Sequence, residues 1–290
     1  MREIFLVLHR TFKEIKYMKF REFTLNDMTS FDRYKTICSD YLFSYLSMYQ
    51  NLYKLKMAEK DGAIMICSDM TTTNFFMPLG DTKQGIKLVL KYCKENNINP
   101  VFSKIPENSL DVFKAFNFHI EKDRDSFDYI FKNADFLEYK GKEFRNQRNN
   151  LYSYLKTSTP VFETNIKAYR DRCKEFTLKY HNSLQKLEPT FKMLDNIELF
   201  DLKGGVVVNG GEVSAFCLYE KLSDEMIISH VELTDNSHRG IHAYLVNELA
   251  KTISEKYINK EDDMGIPGLR RFKETYNPHH MLKKYRAYYK

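Results

Sequence analysis

The sequence predicts an α/β (α+β) fold built as a tandem of two similar units with mixed sheets, and three observations carry that prediction. Short apolar runs of strand length alternate with longer amphipathic runs through both halves of the chain. A strand–loop–helix–strand unit occurs once near residue 100 and again near residue 260. A polar segment ending in Ser158-Thr-Pro160 separates the halves, each about 130–140 residues long and so of ordinary domain size. The predicted division is an extension at residues 1–17, a first unit over 18–158 and a second over 159–290.

In chain order, Met18-Lys-Phe-Arg-Glu-Phe23 opens the folded part, with Phe20 to Phe23 alternating as a strand and Met18 read as the natural start. Thr24 or Asn26 caps a helix expected from Asp27 to about Cys38. Tyr41 to Tyr53 is apolar at most positions and reads as a buried helix or strand. Ala63–Cys67 and Asn74–Met77 are strands, and Lys83–Asn96 is an amphipathic helix with Ile86, Leu88, Val89, Leu90 and Tyr92 on its apolar side. Pro100–Ser103 is a strand, Asn108 caps a short helix over 109–116, and Asp125–Phe131 is a further strand. The polar stretch 140–156 is helical, with Lys142, Arg145 and Arg148 spaced to share one face.

The second half repeats the plan. Val161–Glu163 is a strand, and Lys167–Tyr180 and Glu188–Phe200 are helices, the latter turning Phe191, Leu194 and Ile197 inward. Gly205–Val208, Val213–Glu220 and Met226–Leu233 are strands, the first two joined by the hairpin signal Asn209-Gly-Gly211. Ile241–Lys256 is a helix, and Met281–Tyr289 is a final strand.

Composition narrows the function classes. A hydrophobic share of 43% with 14% aromatic residues is that of a core-forming protein, not a disordered one. The net charge of +6 permits an anionic partner such as tRNA, a nucleotide or an anionic surface without requiring one. The five scattered cysteines form no Cys-x-x-Cys pair, which points to reduced thiols in a cytoplasmic protein and to neither zinc nor disulfides. The longest apolar stretches are far too short to cross a bilayer.

The densest chemistry lies in the last thirty-odd residues. Tyr257-Ile258 runs into three consecutive carboxylates, Glu261, Asp262 and Asp263; a Gly265-Ile-Pro-Gly268 turn follows, then a helix carrying Arg270, Arg271 and Lys273. This is also the second copy of the repeat. Asn99-Pro-Val-Phe-Ser-Lys-Ile-Pro106 leads to a helix ending Phe116-Asn-Phe-His119, as Tyr257-Ile-Asn-Lys-Glu261 leads to one ending Tyr276-Asn-Pro-His279. N-acetyltransferase-like (GNAT) domains finish in this way, so the two units are expected to be GNAT-like.

Several motifs resemble the phosphatidylglycerol lysyltransferase C-terminal-domain family, in particular its small, stand-alone bacterial members of unassigned function. They are Phe76-Met-Pro-Leu-Gly80, Asp128-Tyr-Ile-Phe131, Gly141-Lys142 with Arg148-Asn149, His230-x-Glu232, and Asn259-x-Glu-x-Asp-x-Gly265 with Gly268-Leu-Arg270, Lys273, Tyr276 and Pro278. The likeness runs from about residue 18 to the C-terminus. It implies two packed GNAT-like domains and kinship to transferases that move an aminoacyl group from charged tRNA. The sequence departs from the family pattern at Lys260, Leu233, Arg145 and Asn150.

An ester-activated donor needs a base for the incoming amine or hydroxyl, a group facing the oxyanion and cationic contacts for phosphate. Glu232, beside His230, and Asp263 are the candidate catalytic residues. Glu261 with Asp263 suits an ammonium group, and Arg270, Lys273 and Lys142 suit phosphate or carboxylate. The resemblance adds Asn259, Tyr276, Arg148 and Asn149 as substrate-binding positions. Each has a plainer alternative: His230 and Glu232 pairing across strands, Arg270 and Lys273 neutralising nearby acids, and the 140–156 helix face simply solvated.

The stretch Ser237-His-Arg-Gly-Ile-His242 stands where an acyl-CoA enzyme holds pyrophosphate, but His242 replaces a glycine there. An ordinary helix capped by Asn236 or Ser237 is the simpler reading. His238 and His242 lack a third ligand nearby, so no metal is expected. The leading expectation is a transferase moving an aminoacyl group, with aminoacyl-tRNA as donor, onto a small-molecule or peptide amine or hydroxyl. The alternatives are an acyl-CoA-dependent N-acyltransferase and a non-catalytic module that binds a small ligand.

Overall fold

In the computed structural model, residues 18–290 are described apart from 35, 37, 71 and 182. The extension expected at 1–17 lies outside them. A 3₁₀ turn at Leu25–Asp27 leads into α1 (Met28–Phe31), α2 (Phe43–Tyr49), β1 (Leu55–Lys60), β2 (Ala63–Asp69), β3 (Thr73–Phe76), β4 (Leu79–Gly80), α3 (Thr82–Glu95), β5 (Val101–Pro106), α4 (Leu110–Ala115), β6 (Phe118–Lys122) and β7 (Asp128–Lys132). Then come α5 (Asn133–Glu138), α6 (Arg145–Thr157), β8 (Val161–Glu163), α7 (Arg170–Tyr180), α8 (Leu184–Asp195), β9 (Lys203–Asn209), β10 (Glu212–Lys221), β11 (Met226–Thr234), α9 (Ile241–Thr252), β12 (Tyr257–Asn259), α10 (Pro267–Glu274), β13 (His280–Leu282) and β14 (Lys284–Tyr289). This is the α/β fold with two mixed sheets that the sequence predicts.

The first sheet runs β1-β2-β3-β5-β14-β6, with β4 paired to β2; the second runs β13-β7-β12-β11-β10-β9-β8. Each holds one parallel pair, β3 with β5 and β11 with β12. The copies of the repeat are β5–α4–β6 and β12–α10–β13, and in each the two strands are splayed apart by a strand from the other half. β14 lies antiparallel between β5 and β6, and β7 lies antiparallel between β12 and β13. Strands therefore cross the boundary expected at residue 158 in both directions. The repeated asparagine has a structural cause: Asn117 and Asn277, just past the ends of α4 and α10, both take positive φ (62° and 51°), the left-handed turn that asparagine tolerates at a helix C-terminus.

Local sequence accounts for most elements. The β9–β10 hairpin closes on Gly210 and Gly211, both at positive φ (59° and 85°), as a two-residue turn of this hand requires. Three expectations need correction. Phe20–Phe23 meets the first sheet by a single bridge, Arg21 to Met57, because Phe23 turns its ring into the core against Phe31 and Phe43. The helix expected over 27–38 ends at Phe31, because Tyr34 leaves to donate to the Gly62 carbonyl (3.3 Å) and lay its ring on Gly80, where a Cβ would meet it at 2.8 Å. The single strand expected over 281–289 divides at Lys283, with β13 in one sheet and β14 in the other. Three elements, β1, β4 and α5, were not legible from periodicity.

The halves share a core. Phe23, Phe31, Phe43 and Leu46 pack in one cluster with Phe200, Leu194, Phe216 and Leu233, and the rings of Phe43 and Phe200 lie 6.2 Å apart. All five cysteines are buried and unpaired. Among the described residues no helix is long and apolar enough to cross a membrane.

Candidate active site

The loop after β12 packs three successive acids into a space where each must find its own partner. Glu261, Met264 and Gly265 take positive φ (56°, 51° and 71°), so the chain reverses repeatedly and the acids point in different directions. The loop also folds on its own side chains. Asn259 accepts the Glu261 N–H (2.7 Å), Asp262 that of Met264 (3.2 Å) and Asp263 that of Gly265 (2.9 Å). From α10, Lys273 donates its ammonium to the carbonyls of Lys260, Glu261 and Asp262. Burial holds that ammonium below its usual range.

Glu261 faces the second sheet, where His230 is held between two carboxylates. Its Nδ1 lies 2.7 Å from Glu261 and its Nε2 2.7 Å from Glu220. Burial depresses the imidazole, but the hydrogen bonds that its ring N–H groups donate to Glu220 and Glu261 outweigh it and lift His230 to about 9. Burial raises Glu261. Glu232 does not pair with His230. It takes Lys260 (2.7 Å), His242 Nε2 (2.8 Å) and the Ser229 hydroxyl (2.7 Å). Against its burial, Lys260 and His242 hold Glu232 well below the usual carboxylate range. His242 Nδ1 in turn meets the Tyr276 hydroxyl (2.8 Å), and the Lys260 ammonium lies over the Phe136 ring, 5.0 Å from its centre.

Asp263 turns the opposite way and is fully enclosed. Arg270 grips both its oxygens (2.9 and 2.8 Å), Arg124 adds a third contact (3.0 Å) and the Tyr129 hydroxyl donates a fourth (2.6 Å). Against burial, Arg270 and Tyr129 bring Asp263 down to about 2. A carboxylate so saturated has little basicity left, and its contacts with Arg270 tie the loop to α10. Arg270 and Lys273, expected to meet substrate, are likewise committed to their own chain. Asn259 is buried and donates to Asp128 (3.0 Å).

The middle acid is the one that reaches open space. Asp262 accepts from Lys104 (2.9 Å) on β5 and lines a cleft of about 290 Å³. Its walls include Tyr45, Tyr53, Phe76, Asn74 and Ser103 from the first half, Asp123, Asp125 and Ser126 after β6, and Met264 and Arg286 from the second half. Charge is matched around it: Arg286 pairs with Asp123 (2.9 Å) and Arg270 with Asp125 (2.7 Å). Asn74 donates to the Ser103 hydroxyl (2.7 Å), while its carbonyl oxygen is buried with no protein partner. Lys104 takes a left-handed conformation inside a strand (φ 59°), as Glu261 does just beyond the equivalent strand β12.

Of the residues given a catalytic or substrate-binding role from sequence, none lines this cleft, whereas Phe76 and Asp262, named there without such a role, do. Glu232, His230, Asn259, Glu261, Asp263, Arg270, Lys273 and Tyr276 form the packed layer around its loop. Lys142 and Arg148 border a separate depression on α5–α6, and Asn149 is exposed on α6. Sequence reasoning gave no role to the other cleft residues Lys104, Asn74, Asp123, Asp125 and Arg286, and named Asp262 only as the middle one of three carboxylates. One signal was present: Lys104 falls within the first copy of the repeat, opposite the acidic loop of the second.

Of the two helix N-termini where a pyrophosphate would be received, α9 is crowded by α6 and α3 carries a capping carboxylate. At α9 the residue before the helix is Gly240 (φ 89°), not Asn236 or Ser237, and a Cβ there would lie 2.0 Å from the Asn150 carbonyl of α6. At α3, Asp81 caps the helix by accepting the Gln84 N–H (2.9 Å), placing a carboxylate where a phosphate would sit.

Comparison with protein families matches residues 31–288 to the family described as phosphatidylglycerol lysyltransferase, C-terminal. No curated protein sequence matches the chain. Among solved structures, a conserved protein of unknown function from Bacteroides thetaiotaomicron is 25% identical, with a TM-score of 0.84, covering 94% of this chain and 100% of that one. The C-terminal domain of a putative lysylphosphatidylglycerol synthetase from Agrobacterium fabrum is 15% identical (TM-score 0.64; 92% and 91% covered). L-PGS from Bacillus licheniformis is 14% identical (TM-score 0.67; 93% of each chain). The last two share the fold.

Proposed function

Since the chain belongs to the phosphatidylglycerol lysyltransferase C-terminal family, we propose that it is a transferase that moves an aminoacyl group from aminoacyl-tRNA to an amine or hydroxyl acceptor. The family is related to aminoacyl-tRNA-dependent transferases. The observation that carries the reading is the cleft at the junction of the two halves. At about 290 Å³ it suits an aminoacyl group and is small for a pantetheine-bearing nucleotide. The acids in its wall, Asp262, Asp123 and Asp125, suit an ammonium group.

In this reading Asp262 holds the ammonium of the aminoacyl group. Lys104 faces the oxyanion that develops as the acceptor attacks the ester carbonyl. The new C–N or C–O bond forms as the C–O bond to the ribose breaks. Asp125, the cleft acid with 62% of its side chain exposed, takes the acceptor's proton and passes it to the departing ribose oxygen, which leaves as the hydroxyl. Glu232, His230, Glu261 and Asp263 act as positioning residues that fix the loop carrying Asp262. An acyl-CoA donor is disfavoured by the carbonyl at Gly240 and the carboxylate at α3.

The test is incubation with labelled aminoacyl-tRNAs and a panel of amine and hydroxyl acceptors. Transfer product is expected with at least one charged tRNA, and Asp262→Asn is expected to lower the rate about 100-fold while circular dichroism stays unchanged. No turnover with any charged tRNA would overturn the reading. Saturable binding of an amino acid without product would favour a binding module instead.

A further inference from the structure

Away from the cleft, the turn between α5 and α6 carries a cluster of cations that the fold does not neutralise. Lys140, Gly141, Lys142, Arg145 and Arg148 line an open depression of about 480 Å³, with Glu138 as its one acidic wall residue. The Glu143 carboxylate folds against Gly141 at its edge. Lys140, Lys142 and Arg145 are exposed, and among the described residues none of the three pairs with a carboxylate. The basic groups near the cleft behave differently: Lys104, Arg124, Arg270 and Arg286 all do so. The turn is held in shape by Arg148, whose guanidinium donates to the carbonyls of Tyr139 and Gly141 (2.7 Å to the latter) across positive φ values of 44° and 97°.

Position adds to charge. α10 connects the depression to the cleft. Near its start Arg270 contacts Asp125 (2.7 Å) in the cleft wall, and past its end Gln147 donates to the Thr275 carbonyl and Asn277 donates to the Glu143 carbonyl (3.1 Å) beside the depression. Eight helical residues span about 12 Å. At about 3.4 Å per nucleotide of a stacked strand, that distance is three or four nucleotides.

Resting on the transferase reading above, we propose that this depression binds the backbone phosphates of the donor RNA, three or four nucleotides from the end whose ester enters the cleft. Lys142 and Arg145 supply the phosphate contacts, and Arg148 shapes the turn that presents them. The ligand is a single-stranded polyanion, read by charge and not by base sequence.

The test measures binding of deacylated tRNA as a function of salt, for the wild type and for Lys142→Ala/Arg145→Ala. Each lost phosphate contact reduces the slope of log K against log salt by about 0.7, so the double variant is expected to lose about 1.4 in slope and about 10-fold in affinity at low salt. Lys83→Ala/Lys87→Ala, on exposed positions of α3, is expected to leave the slope unchanged. With tRNA lacking its last four nucleotides, wild type and double variant should bind alike. An unchanged slope in the double variant, with wild-type binding intact, overturns this inference and leaves the transferase reading standing. Failure of the wild type to bind any tRNA overturns both. Loss of binding to phosphatidylglycerol vesicles with RNA binding unaffected overturns it in favour of a lipid surface.

Discussion

Replacing Lys284 by Met tests the interlock of the two halves. Lys284 begins β14 and Asp128 begins β7, the two strands that cross between sheets, and their side chains meet at 2.6 Å with both fully buried. Lys284 also contacts Asp40, likewise fully buried. Burial alone would drive the lysine neutral, but Asp128 and Asp40 hold it charged, above its usual range. Removing one member of a buried ionic cluster costs about 3–5 kcal/mol, because the remaining charge is stranded. Here the lower end is expected. Asp40 keeps Lys104 (3.0 Å), and Asp128 keeps the Asn259 amide (3.0 Å) and the Ser39 hydroxyl (3.1 Å). A loss of about 3 kcal/mol moves a urea midpoint by roughly 1 M at a slope of about 3 kcal/mol/M. Adding Asp128→Asn removes the stranded charge and should recover at least half the loss. The defect should also shrink as pH falls, because Asp128, raised by burial, then takes up a proton. A single variant within about 0.5 kcal/mol of wild type, or a double variant no better than the single, would refute the reasoning.

His230, lifted from 6.5 to about 9 in the fold, contributes stability that is complete below about pH 6.5 and lost as pH rises through 9. His230→Gln should therefore flatten the decline in stability over that window, worth on the order of 2–3 kcal/mol, as followed by denaturant titration at stepped pH. Asp263→Ala leaves Arg270, Arg124 and Tyr129 without their shared acceptor. It should cost about 2–4 kcal/mol and speed amide exchange across residues 260–266, and unchanged exchange would remove its role as a clamp. His242→Gly restores the missing glycine of a pyrophosphate loop but leaves the Asn150 carbonyl against Gly240. Calorimetry should still detect no acetyl-CoA binding, and measurable affinity would reopen the acyl-CoA reading.

What the sequence by itself determined is local or repeated. Apolar periodicity placed most strands and helices, and Asn209-Gly-Gly211 announced a turn that needs two positive φ values. The aromatic-Asn-x-His pair announced two helices ending in the same left-handed turn, because these preferences act within a few residues. Three adjacent acids marked a loop that borders the cleft but not which acid lines it. Which of Glu261, Asp262 and Asp263 faces open space depends on the loop's left-handed turns and on partners far away in the chain. Asp262 meets Lys104 from 158 residues away, while Asp263 is taken by Arg124 and Arg270. The strand exchange was equally invisible, since β7 and β14 read as ordinary strands whichever sheet they join. Pairing along a strand edge is set by backbone hydrogen bonds, which carry little sequence signature, and the choice is recorded in side-chain contacts such as the buried Lys284–Asp128 pair. Tertiary structure thus decided which charges hold the halves together and which of the three acids, Asp262, lines a cleft.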